Sequence, residues 1–529
     1  MKNIQVVDAT LRDGGCVIDF NFGDSNIETI LEGLNNSGVD CIELGYIHET
    51  KGTEHGRTQF IDERAVARAL HGKKKKGTTY LAMMDYGTFD VDKLSQHSDE
   101  MIDGIRLAFH KKDFQDVGRI GRTIIDKGYQ LFIQPMLTLW YDDRELLELI
   151  DLVNRELPEI SAFYIVDSFG EMRNNDVIRI LNLVDHNLKK NIPVGFHSHN
   201  NLQLSYSNVI SVLQFPTTRD LYLDSSIMGM GKGAGNLISE LLLEHLNLYY
   251  GKRYEISPLL NVIDLVLNRI RANDYWGYSA EYYLSAINHC SPSYARHFHQ
   301  KHMLPINEIA ELLGRIDLSK RISFDKKYAD DLYHSYVTKA IDDDNAYAAL
   351  KSIFFEKEVL VLAPGRSIED ENDKILEYIA SNDVVVLAIN TIHQNIPADY
   401  VFISNRKRYT RFCELFSNST TPLICTSNIR PDTKEVYYIN YADYLCEDPN
   451  IESNAGMMAL NLLLKLGVRR LILAGFDGFG FGQHASDTLP DAMTNVEWNR
   501  LNHSISEHIS KICKTVDTKF LTKSNYEIA

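Results

Sequence analysis

The chain has 529 residues, 44% of them hydrophobic and 24% charged, values of an ordinary folded protein and not of a disordered or collagen-like chain. At about 100–200 residues per domain it holds more than one. Its 55 Lys plus Arg against 72 Asp plus Glu leave a formal charge of −17, which makes it a poor candidate for sequence-independent nucleic-acid binding, since that needs a basic face. Seven scattered cysteines without a C-x-x-C point to a reducing compartment and away from a cysteine zinc site. The N-terminus MKNIQVVDAT has no apolar signal core, and no run approaches 18 uncharged apolar residues, so no membrane span and a cytoplasmic location are expected.

In chain order, short β-rich runs alternate with amphipathic helical runs over the first ~250 residues. The predicted strands are 3–9, 40–46, 78–86, 103–110, 129–137, 161–168, 192–199 and 219–226. Helical patterns lie between them, such as DDRELLELIDLVNREL after the fifth and NLISELLLEHLNLYY after the eighth. Eight βα units in this length predict a TIM (β/α)8 barrel, residues 1–255. Residues 256–350, rich in Tyr and His, read as a helical extension and connector. From 357 an α/β pattern restarts, with strands at EVLVL, 383–390, 400–407 and 468–478. This predicts a second, open-sheet, Rossmann-like α/β domain over 357–529.

Three motifs stand at predicted strand ends, where barrels carry their chemistry. The first, Asp8-Ala-Thr-Leu-Arg12-Asp13-Gly-Gly-Cys16, offers a hard oxygen ligand in Asp13 and a permanently charged fork in Arg12. The second, Gly195-Phe-His197-Ser-His199-Asn200, sets two imidazoles on one side of a strand, since alternate residues point the same way. Two imidazoles and a carboxylate make a metal-binding triad with open positions. The third, Gly229-Met-Gly231-Lys-Gly233-Ala-Gly235-Asn236, suits an anionic group or a tight turn, with Asn236 capping the next helix. Glu43, Asp85, Arg106, Gln134 and Asp167 are further polar strand-end residues expected to line or support a substrate pocket.

These motifs, with Val166-Asp-Ser-Phe-Gly170, resemble the DRE-TIM metallolyase superfamily over residues 1–290, and within it the 4-hydroxy-2-oxovalerate aldolase branch. The resemblance implies a divalent metal, Mn²⁺ or Mg²⁺, on Asp13, His197 and His199, with Asn236 matching a further ligand position. It implies that Arg12 stabilises a pyruvate enolate, and that the small-molecule partners are a 2-keto acid and an aldehyde. One position departs from the branch: its catalytic histidine, three residues after the motif aspartate, is Cys16 here. The base is then Cys16 itself, another group such as His48, Tyr46 or His110, or a metal-bound water.

In the second domain, Gly365 and Ser367 after the first strand, Asn390, Asn405 and Asn454 resemble the nucleotide-binding fold of bacterial sialyltransferases and of a pterin diphosphokinase-like family. That implies a nucleotide or nucleotide-sugar partner, and His484 is a further candidate there. The reading is a metal-dependent aldolase or carbon–carbon lyase acting next to a 2-keto acid, expected to serve surface-glycan or unusual-sugar synthesis and to form a homo-oligomer. The alternatives are an acyl-CoA/2-keto acid condensing synthase of the same superfamily and a nucleotide-binding scaffold without activity.

Overall fold

The computed structural model describes residues 2–52, 55–70, 72–393, 395–429, 431, 435–480 and 495–526. The chain divides into two compact units, Met1–Ala295 and Arg296–Ala529, so the helical stretch 256–350 falls partly in each. His484 lies outside the described residues.

All eight runs predicted in the first unit form parallel strands. They are β1 (Ile4–Asp8), β2 (Cys41–Ile47), β4 (Thr79–Asp85), β5 (Gly104–Phe109), β6 (Gln130–Pro135), β7 (Ala162–Asp167), β8 (Val194–Ser198) and β9 (Leu221–Ser225), with a two-residue β3 (Gln59–Phe60) added beside β2. Successive strands pair in order, and β9 pairs back onto β1, closing the barrel. Every residue of β5 and β7 is buried, because helices cover the outside and side chains fill the inside. Those helices include α1 (Asp24–Ser37), α2 (Glu63–Leu70), α3 (Val117–Asp126), α4 (Asp143–Glu156), α5 (Asn174–Asn187), α6 (Ser205–Gln214) and α7 (Ser239–Tyr250). The start of α4 shows why the sequence breaks there. Asp142 Oδ1 accepts from the Glu145 N–H at 2.8 Å and Glu145 Oε2 accepts from the Asp142 N–H at 2.9 Å, a reciprocal cap of a kind worth about 1 kcal/mol.

The period of two along each strand stacks the barrel interior in layers. Val7, Cys41, Leu81, Phe132 and Tyr164 form an apolar floor with Tyr222 packed against it. Two residues further along three of these strands stand Glu43, Gln134 and Asp224, all buried. The barrel is thus apolar at its base and charged toward the strand C-termini, where the motifs lie.

The second unit contains an all-parallel sheet of seven strands among the described residues: β10 (Glu358–Leu362), β11 (Val385–Ile389), β12 (Tyr400–Ile403), β13 (Leu423–Thr426), β14 (Val436–Ile439), β15 (Arg470–Ala474) and β16 (Asp517–Phe520). Their order is β14-β13-β12-β11-β10-β15-β16. The chain winds outward from β10 in one direction, then returns to the other side at β15. Four of these strands match the predicted runs, and β13, β14 and β16 were not foreseen. The expected run 400–407 stops as a strand at Ile403, because Asn405 caps a helix that begins at Arg406. No helix among the described residues is long and apolar enough to cross a membrane.

Candidate metal centre

The sequence brings Asp13, His197 and His199 together from opposite ends of the barrel segment. One ligand atom from each lies within 4.8 Å of the others, and all three side chains are buried. Asp13 follows β1, while His197 and His199 are alternate residues at the end of β8. Their rings stand edge to face, 5.2 Å apart. Each imidazole is held by the ring nitrogen that faces away from the cluster. His197 Nδ1 bonds Asp224 Oδ2 at 3.0 Å, and His199 Nδ1 bonds the carbonyl of Lys232 at 3.1 Å. Both Nε2 atoms are left for a cation, the usual support of metal-binding histidines.

Burial keeps His199 neutral, with its pKa lowered to about 4 despite Asp13 beside it. Burial opposes the charge on Asp13, but His199, Arg12 and His197 together hold it below the usual carboxylate range. A neutral imidazole and an ionised carboxylate are the forms that bind a metal.

Asn236 stands at the pocket, at the further ligand position that the resemblance implies and not at the helix cap that its spacing suggests. It does not cap α7, which starts at Ser239 with Ile238 in the capping position. Instead it forms an isolated bridge with His199. Its amide nitrogen donates to the Met230 carbonyl at 3.3 Å and to Ser226 Oγ at 3.4 Å, and its buried Oδ1 has no partner. An orphaned amide oxygen beside two imidazoles and a carboxylate fits a hard divalent cation. Gly231 allows this convergence. A Cβ there would lie 2.5 Å from both Asp13 Oδ2 and Asn236 Nδ2. Gly231→Ala is therefore expected to push the loop off the site and weaken Mn²⁺ binding at least ~10-fold, as read by calorimetry.

Beneath the cluster a chain of charged groups crosses the barrel. Arg12 donates from Nη1 to Asp13 Oδ1 at 2.9 Å and from Nε to Glu43 Oε2 at 2.7 Å. Glu43 Oε2 also accepts from Arg106 Nη1 at 2.7 Å, and Arg106 Nη2 donates to Asp224, the partner of His197. With its amide oxygen turned inward, Gln134 accepts from Arg106 at 2.9 and 3.1 Å. The guanidinium of Arg106 lies 4.7 Å from the centre of the Tyr164 ring. Three carboxylates (Asp13, Glu43, Asp224) against two guanidiniums (Arg12, Arg106) leave one negative charge, which suits a cation above.

Arg12 keeps one donor in reserve, since its Nη2 is buried without a partner. Glu43 and Tyr46 both reach Arg12, although residues three apart on a strand face opposite ways. The pairing of β2 with β4 shifts register between them, and at Gly45 a Cβ would lie 1.9 Å from the Thr58 carbonyl. That irregularity turns the Tyr46 ring inward, 5.8 Å from the Arg12 guanidinium carbon.

The remaining predicted residues divide. Burial pushes the Cys16 thiol up to about 12, with Asp13 adding to the shift, so at neutral pH it stays protonated and is no base. His48 is set apart: its imidazole faces Thr50 at 3.5 Å and the charge of Lys51. Asp167 accepts from the backbone N–H groups of Glu171 and Met172 and so fixes the loop after β7; burial raises its pKa to about 8. Asp85 belongs to the mouth of the site. Its Oδ1 is buried without a partner, and burial raises its pKa to about 6 against the pull of Arg12 and Lys232. Sequence reasoning gave no role to Asp224 or Lys232. A lone acid inside the apolar run of β9, and a lysine amid four glycines, were the available signals.

In the second unit, Gly365, Asn390, Asn405 and Asn454 line one cavity of about 290 Å³, together with Arg408 and Asp477. It opens at the C-terminal ends of β10 and β15, where the strand order reverses. Ser367 is not in its lining. Its N–H and hydroxyl both go to the Asp477 carboxylate, and its hydroxyl also meets Thr522 Oγ1 at 2.8 Å.

The first unit is thus a closed parallel β/α barrel carrying a buried Asp–His–His cluster, a candidate metal site, at the C-terminal ends of its strands. Residues 3–266 match the HMGL-like family model, which supports a lyase-type enzyme at the family level. The barrel is 29% identical over 245 residues to a 4-hydroxy-2-oxovalerate aldolase of Geobacillus genomosp. 3, covering 45% of this chain and 69% of the relative. It is 25% identical over 242 residues to an oxaloacetate decarboxylase of Mycobacterium tuberculosis, covering 45% and 68%. The crystal structure of an N-terminal domain from Bacteroides vulgatus shares the fold, with a TM-score of 0.51, 24% identity, and coverage of 58% of this chain and 99% of that one.

Proposed function

We propose that the barrel is a divalent-metal-dependent aldolase that forms or cleaves the C–C bond next to a 2-keto acid, with the enolate of pyruvate as the shared intermediate. The observation that carries this reading is the unpartnered Arg12 Nη2 beside the Asp13–His197–His199 cluster. A divalent cation held by these three residues and Asn236 would supply Lewis acidity toward the keto acid's oxygens. Arg12 donates its free N–H to the oxygen on which negative charge develops, while Glu43 and Asp13 fix the plane of the guanidinium. Tyr46 stays a neutral phenol, because burial raises its pKa well above 10. Cys16 forms part of the wall.

Asp85 takes up the proton-transfer role left open by Cys16. Its carboxyl titrates at about 6 and its Oδ1 is free. A base must be ionised to act, so the rate should rise with pH through about 6 and level off above it. Asp85→Asn should remove that limb and slow proton transfer by ~10²–10⁴-fold. A pH profile that keeps its acid limb in the variant would remove Asp85 from the mechanism.

The defining experiment incubates Mn²⁺- or Mg²⁺-loaded protein with pyruvate in D₂O. Deuterium is expected to enter the methyl group, with no aldehyde present. Absence of exchange in metal-loaded protein overturns the reading.

A second proposal concerns the other unit: a nucleotide or nucleotide sugar occupies its cavity. Support comes from the position of the cavity at the strand-order reversal of an open parallel sheet, the usual ligand crevice of such sheets. The Asp477 carboxylate occupies the Ser367 N–H and hydroxyl that a phosphate would use, so the polar contacts are expected from Asn390, Asn405 and Arg408. Titration with cytidine and uridine monophosphates tests it, and no binding at millimolar concentration ends it.

A further inference from the structure

Lys232 sits in the third glycine-rich motif, and its backbone is moored to the metal cluster on both sides. Its N–H donates to Asp13 Oδ2 at 3.2 Å and its carbonyl accepts from His199 Nδ1 at 3.1 Å. The side chain is exposed. It stands at the barrel mouth, because its backbone joins Asp13 after β1 to His199 at the end of β8. In support, its charge is felt at Cys16 after β1, Asp85 at the end of β4, His110 after β5 and His199.

No carboxylate among the described residues forms an ion pair with this ammonium. The nearby cationic groups are otherwise committed. Arg12 is buried and engaged by Glu43 and Asp13, its spare Nη2 being assigned to the keto acid in the aldolase reading, and burial keeps His110 neutral. In a chain of net charge −17, an unpaired lysine held above a reaction centre is a local reversal of sign. It would draw an anion to the open side of the site. A compact ammonium on a flexible stem suits the carboxylate or phosphate of a ligand that arrives from solvent.

We propose that Lys232 selects the second substrate: an aldehyde whose far end carries a carboxylate or a phosphate, seated across the mouth from the metal cluster. This rests on the aldolase reading and names the substrate class for it. A neutral aldehyde would leave the ammonium without a counter-charge, so discrimination should show mainly in KM.

The test pairs charged and neutral acceptors with pyruvate. Glyceraldehyde 3-phosphate is set against glyceraldehyde, and succinic semialdehyde against butanal, with C–C bond formation followed for the wild type, Lys232→Ala and Lys232→Arg. The wild type is expected to favour one charged acceptor roughly tenfold or more in kcat/KM, the discrimination a close charge pair supplies. The preferred pair tells phosphate from carboxylate. Lys232→Ala should bring that ratio close to one by raising KM for the charged member, and Lys232→Arg should restore most of it. Equal use of both members by a wild type that exchanges pyruvate's methyl protons overturns the proposal. So does a preference that survives in Lys232→Ala. A wild type that exchanges no methyl protons overturns the aldolase reading itself, and this proposal with it.

Discussion

His197→Ala is expected to abolish pyruvate methyl exchange, lowering it by more than the ~10–100-fold that loss of a ligand's supporting partner costs metal sites. The substitution removes one of the three residues clustered to hold a cation and takes from Asp224 its bond to His197, leaving it with Arg106. Two readouts separate metal loss from misfolding. Wild-type protein should gain melting temperature as Mn²⁺ is added, because a ligand that binds only the folded state stabilises it by mass action. The variant should melt cooperatively but show no such gain. Asp224→Asn should fall between the two, because it keeps all three ligands and weakens only the grip on His197 Nδ1. Exchange in His197→Ala at the wild-type rate, or unchanged in wild type after chelation, would remove the metal from the chemistry.

Arg106→Met should have the largest effect on stability. The side chain is fully buried, and its donors reach Glu43, Asp224 and Gln134. Removing it leaves two carboxylates in the barrel interior without their shared counter-charge, a loss of roughly 3–5 kcal/mol for breaking one side of a buried charge network. Urea unfolding of the barrel unit reads this directly. The pH dependence supplies the sign. In the wild type, burial works against ionised Asp224, but Arg106 and His197 outweigh it and lower its pKa. That stabilisation is present above the unfolded carboxylate pKa near ~4 and fades as pH falls through the lower folded value. Without Arg106, burial of Asp224 loses the first of the charges that oppose it, so its pKa should rise and the variant's deficit should shrink as pH drops from 7 toward 5. A deficit independent of pH would mean that lost packing, and not uncompensated charge, is its cause.

The barrel could be read from the sequence because its strands are long, buried on both faces and nearly uniformly apolar, and because H-x-H on one strand has a single geometric meaning. The grouping of Asp13, His197 and His199 was legible from their places at strand ends, the H-x-H alternation and the family resemblance, and the structure brings the three together. Asn236 was rightly singled out but wrongly placed as a helix cap, since nothing in G-A-G-N shows that the helix waits for Ser239. The strands β13, β14 and β16 escaped notice for a physical reason. Each has four residues, and the outer two lie at the sheet edges with half-exposed side chains, too short and too mixed to show a period. His48 and Asp85 looked alike as polar residues at the ends of adjacent strands. Only the packing separates them, one beside Thr50 and Lys51, the other with a bare carboxylate oxygen facing Arg12.

The charged groups under the cluster form a loop and not a line. From Asp13 the contacts run through Arg12, Glu43, Arg106 and Asp224 to His197, which returns to Asp13 at the cluster. A disturbance at any link therefore reaches the Asp13–His197–His199 cluster from two directions, so the barrel interior has little freedom to change one residue at a time. New acceptor range should arise instead at the rim, around Cys16 and Lys232, where substitution leaves that circuit whole.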